Sequence, residues 1–193
     1  MILSTNNNYV SLWLYTTIFM VILMILIGGI TRLTDSGLSM VEWRPIWGFL
    51  PPISDEEWKR VFSLYMNSPE YIFKNQGMNL TEFKEIFFWE YFHRLWGRLI
   101  GIVFIIPLII FYLFNKIPNS ILLKLLIILF LGSLQAIIGW WMVKSGLVND
   151  PTVSQYRLAV HLSNALFILF LLIWTLLEFK NGHSKIKLDF SLL

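Results

Sequence analysis

Along the chain, long apolar runs alternate with polar segments, and four of the runs are long enough to cross a membrane. They cover residues 9–30, 91–114, 121–142 and 156–179, each close to the roughly 20 predominantly apolar residues that span a bilayer's hydrocarbon. No charged side chain occurs from Met1 to Thr31, and polar or helix-breaking residues bound each run. The pattern predicts an all-α integral membrane protein: an antiparallel four-helix transmembrane bundle with a long outer loop between the first two spans. Neither a repeat nor a low-complexity tract divides residues 1–193, so a single domain is expected. The first run has no basic segment before it and no small-residue cleavage site after it, which argues for a retained helix over a removed signal peptide.

Charge sets the orientation. Lys116, Lys124, Lys180, Lys185 and Lys187 flank the connection between spans two and three or follow span four, whereas the connection between spans three and four offers only Lys144 and Arg157. The positive-inside rule then places both termini and the Lys116 loop in the cytoplasm or matrix, with residues 31–90 on the opposite face.

Composition narrows the chemistry. With 56% hydrophobic and 14% charged residues the chain is too apolar for an ordinary soluble domain, and its net charge of +3 sits in short loops and the tail, not in a nucleic-acid patch. The absence of cysteine excludes disulfides, thiolate metal sites and a cysteine nucleophile, so any metal falls to histidine or carboxylate.

Of the three histidines, His183 lies in a polar tail and is expected to be solvated. His93 and His161 each begin a span from the outer face, at matched depth, where two imidazoles on facing helices can ligate one iron or, alternatively, bond a neighbouring helix or water. Gly97 and Gly101 follow His93 on the same helical face, leaving either a flat groove for a porphyrin or a small-residue helix contact. Gly132, Ala136 and Gly139 read as packing residues only. Arg94, Arg98 and Arg157, with Arg32 and Arg44 in reach, suit two carboxylates in bidentate geometry; the alternatives are headgroup contact or, for Arg94, an ion pair with Glu90. Glu90 lies three residues before His93 on one face, where a pure electron carrier has no need of it. Trp43, Trp47 and Trp58 read as interfacial anchors of the outer loop.

These residues fall in four blocks: "GGITRLTDSGLSMVEWRPIWGFLPP" (28–52), "FFWEYFHRLWGRLIG" (87–101), "QAIIGWWMVKSGL" (135–147) and "VSQYRLAVHL" (153–162). Together they resemble, in order, the N-terminal half of the haem A synthase family, and the cysteine-free first loop is similar to its alphaproteobacterial and mitochondrial branch. The resemblance implies a haem-dependent oxidoreductase of a bacterial or mitochondrial inner membrane. It would oxidise the C8 methyl of haem O to a formyl, giving haem A for cytochrome c oxidase, with molecular oxygen and an electron donor such as a ferredoxin. It further implies that His93 and His161 are iron ligands and that Glu90 is catalytic, while Arg94, Arg98, Arg157, Gly97 and Gly101 are expected from their positions alone to form the propionate sites and pocket. The family's usual second half, with its own histidine pair holding haem B, has no counterpart in these residues. Three expectations stay open: a homo-oligomer, a partnership with a separately encoded second half, or a truncated gene product. The rival expectations are a non-catalytic b-type bis-histidine cytochrome subunit and an incomplete half that awaits its partner.

Overall fold

A computed structural model describes residues 8–42, 49–148 and 150–181; the expectations for Trp43, Arg44, Trp47 and His183 lie outside them. Among the described residues every regular element is helical: α1 (Asn8–Leu33), α2 (Asp55–Met66), α3 (Pro69–Phe73), α4 (Leu80–Leu113), α5 (Asn119–Lys144) and α6 (Gln155–Asn181). Helices α1, α4, α5 and α6 are long and apolar enough to cross a membrane, and the chain is a multi-pass integral membrane protein.

Helix α1 is the centre of the bundle. It packs against α4 on one side and α6 on the other; α5 packs on α6 and barely meets α4. Residues such as Leu14, Leu108, Ile121, Leu125 and Leu172 close a tight core at the inner end. Pro107 lies within α4 and has no N–H to give the Val103 carbonyl four residues earlier. The Trp13 indole of α1 donates to that carbonyl at 2.8 Å, so a group left open in hydrocarbon finds its partner on the neighbouring helix.

The outer end is built differently. Positions 91–103 of α4, 129–144 of α5 and 155–167 of α6 include no fully buried residue, while α1 stays buried at Ile27 and Thr31. In the outer half, where His93 and His161 lie, the residues of these three helices are therefore only partly covered.

Helix α4 starts at Leu80, eleven positions before the expected span. Asn79 and Glu82 form a reciprocal capping box that starts the helix in the outer segment. Its first turns bury Phe83 and Phe87 against α2, with Tyr65 and Phe83 ring centroids 5.0 Å apart and Trp58 and Phe87 5.1 Å apart. Such contacts add about 0.5–1.5 kcal/mol each beyond area burial. Trp58 helps bind α2 to α4 in this aromatic cap.

Candidate functional site

The outer end of α4 carries Glu90, His93, Arg94, Gly97, Arg98 and Gly101 in three turns, and the first loop folds down onto it. After α1 the chain turns sharply: Asp35 adopts a left-handed φ of 47°, Ser36 N–H donates to the Thr31 carbonyl at 3.0 Å, and Leu38 is buried. Leu38 wedges against Gly146 beyond α5, where an added Cβ would stand 2.7 Å from Leu38 Cδ1. Any larger residue at 146 would push the loop off the bundle.

That fold brings Ser39 and Met40 to Glu90. The carboxylate is only 2% exposed. Its Oε2 accepts from the Ser39 hydroxyl at 2.7 Å and from the Met40 N–H at 2.8 Å, and its Oε1 is paired with the Arg94 guanidinium. Arg94 also donates to the Met40 carbonyl at 3.4 Å. A carboxylate buried without partners costs several kcal/mol; here three donors from two segments satisfy it and fix its direction.

The imidazoles of His93 and His161 each lie against a glycine of a third or fourth helix. A Cβ on Gly28 of α1 would stand 3.1 Å from His93 Nε2, and one on Gly139 of α5 would stand 3.0 Å from His161 Cε1. His161 Nδ1 is buried without a hydrogen-bond partner, a state that costs about 1–3 kcal/mol for a group of this kind. On the backbone side, Gln135 donates to the His161 carbonyl at 2.9 Å, and Asn164 donates to the Gln135 side-chain oxygen at 2.7 Å, tying α5 to α6 at this depth.

The remaining predicted residues are dispersed around this centre. Gly97 faces α1, where an added Cβ would lie 3.3 Å from Met24 Cε, and Gly101 has open space beside it. The Arg98 guanidinium stands 5.3 Å from the Phe49 ring. Arg157 donates to the Trp141 carbonyl at 2.7 Å and covers that indole at 4.5 Å, while Arg32 pairs with Asp35 at the exposed end of α1. Among the described residues no three His, Asp or Glu side chains gather as a bare metal site.

Sequence reasoning missed Ser39, Met40 and Gly28, and it read Gly139 as a packing residue with no tie to His161. The two glycines were accessible by depth alone, since each lies near the outer end of its span, level with a histidine. Ser39 was not: its bond to Glu90 depends on a turn that no local pattern specifies.

Residues 11–191 match the family model described as cytochrome oxidase assembly protein. Curated relatives named heme A synthase include those of Parvibaculum lavamentivorans, 45% identical over 93% of this chain and 52% of the relative, and Paramagnetospirillum magneticum, 49% identical over 92% and 50%. A third, from Rickettsia bellii, is 52% identical over 86% of this chain and 49% of the relative. The chain spans about half the length of the curated relatives it matches. No solved structure matches it significantly.

Proposed function

The chain belongs to the cytochrome oxidase assembly protein family, and from that premise we propose that it receives haem O between His93 and His161 and takes part in oxidising its C8 methyl to the formyl of haem A. The observation that carries this reading is the fixed Glu90 carboxylate, one turn from His93 on the same helix. A bis-histidine electron carrier would have no use for a buried acid held by three donors at that place.

The residues fit such a substrate. The partnerless His161 Nδ1, the glycine backbones pressed against both imidazoles, and the loosely packed outer halves of α4, α5 and α6 make a cradle in which a planar macrocycle can stand on nitrogen ligands. The bound iron would supply the redox chemistry with molecular oxygen and electrons from a donor such as a ferredoxin.

Methyl to formyl amounts to two successive hydroxylations with loss of water, so protons must be moved near the reacting carbon. In this reading Glu90 takes or gives those protons and its charge stabilises positive charge developing at the methyl carbon. In the same reading Arg94, Arg98 and Arg157 supply the positive charge at the outer mouth for the two propionates, Arg94 while paired with Glu90 and Arg157 while bonded to the Trp141 carbonyl.

The test is coexpression with a haem O source, followed by haem extraction from the purified chain and from His93→Ala and His161→Ala. Haem A or its hydroxymethyl precursor, lost in both variants, supports the proposal. Unmodified haem alone would instead assign a b-type carrier, and no haem an incomplete half.

A further inference from the structure

Ser39 bonds Glu90 Oε2 at 2.7 Å, and it is also one of the residues that line a cavity of about 360 Å³ between the first loop and α2, with Glu42, Ser54, Glu57, Val61 and Phe87. A liquid water molecule occupies about 30 Å³, so the cavity has room for several, and its hydroxyls and carboxylates supply the polar contacts that buried water needs. Glu42 and Glu57 are both held by Arg60, at 2.8–2.9 Å, which keeps their negative charge on the cavity wall. This cavity belongs to the outer cap, away from the histidine cradle.

We propose that the Ser39 hydroxyl and the cavity behind it are the proton path between Glu90 and the outer aqueous phase. The proposal rests on the reading of Glu90 as the group that handles protons. A hydroxyl accepts and donates at once. When Glu90 has taken a proton, its O–H donates to Ser39 Oγ while the Ser39 proton passes to cavity water, which leaves as hydronium. The carboxylate then regains its bonds to Ser39, Met40 N–H and Arg94. No electron moves and no other bond changes. Ser36 and Ile86 carbonyls, 3.2 and 3.5 Å from Ser39 Oγ, provide alternative acceptors between which the hydroxyl can turn. Ser39 thus acts through Glu90, as a positioning and relay residue.

Two measurements on the full chain in lipid nanodiscs, both without haem, test this. Because the chain contains no cysteine, Ser39→Cys introduces a single thiol. It should react with a charged, membrane-impermeant thiosulfonate, and Val61→Phe, which fills the cavity from the opposite wall, should slow that reaction by about ten-fold. Reaction no faster than that of Leu14→Cys, which is fully buried in the bundle core, would overturn the path.

The second measurement follows Glu90 protonation by infrared spectroscopy after a drop in pH, as the difference between the chain and Glu90→Gln. Ser39→Ala and Val61→Phe should each slow it by about ten-fold, and Ser39→Thr should restore the rate. An unchanged rate in Ser39→Ala would overturn the relay. Neither readout depends on turnover, so a failed oxidation assay would strike the proposed function and leave this result standing.

Discussion

The backbone of Gly139 lies so close to the His161 ring that a Cβ there would stand 3.0 Å from Cε1, and Gly28 stands in the same relation to His93. A helix that presents bare backbone to an imidazole fixes the plane of that ring. Gly139→Ala and Gly28→Ala should each force the ring aside, at about 1–3 kcal/mol of overpacking. If the rings hold haem, affinity should fall by about ten-fold for every 1.4 kcal/mol so lost. Haem titration of the purified chain, followed by its absorbance, checks this; unchanged affinity in both variants would remove the histidines from the haem site.

Glu90→Gln separates chemistry from binding. The amide keeps the size and can still accept from Ser39 and Met40, so haem should copurify as before. It cannot take a proton, and formation of the formyl product should fall by about 10²–10⁴-fold, the usual worth of a positioned acid or base. Extracted haem analysed by mass spectrometry reports both quantities at once, and normal product yield would remove Glu90 from the reaction.

The outer cap should have its own pH dependence. Glu70 is buried at the start of α3, accepting from the Tyr65 hydroxyl at 3.0 Å, and Asn75 donates to that same hydroxyl at 2.7 Å. Burial pushes the Glu70 carboxyl up from 4.5 to about 7; the Tyr65 bond and Lys74 oppose the rise, and the charges of Glu90 and Asp35 add to it. The folded cap therefore holds a proton that the unfolded chain has released between those values. This stabilisation is complete below pH 4.5 and is lost as pH rises to about 7, at roughly 1.4 kcal/mol per unit, or about 3 kcal/mol in all. Melting of the cap, followed by hydrogen exchange of α2 and α3, should ease across that window, and Glu70→Gln should flatten the dependence.

Sequence and structure agree where a single long-range force decides the outcome. Four spans and a helical bundle follow from hydropathy, and the structure has both. The start of α4 did not follow from hydropathy, because its first turns lie outside the apolar run. The signal was nonetheless present in Asn79-Leu80-Thr81-Glu82, a capping-box spacing. The arginines were the least legible. Arg94 meets Glu90, the alternative that i,i+4 spacing offered, whereas nothing local specifies that Arg157 meets the Trp141 carbonyl of the neighbouring helix.

The Trp13 bond to the Val103 carbonyl yields a prediction at the inner end, far from the site. Trp13→Phe should leave that carbonyl without a donor inside the bundle, because Pro107 cannot supply one. The loss should be about 1 kcal/mol, within the range measured for hydrogen bonds between transmembrane helices. In a Pro107→Ala background the helix gains the missing N–H, so the hydrogen-bond part of the Trp13→Phe cost should disappear. A double-mutant cycle on unfolding in detergent isolates that part from the packing lost with the indole, which is common to both backgrounds. A coupling energy of zero would mean that Trp13 serves α1 and α4 by packing alone.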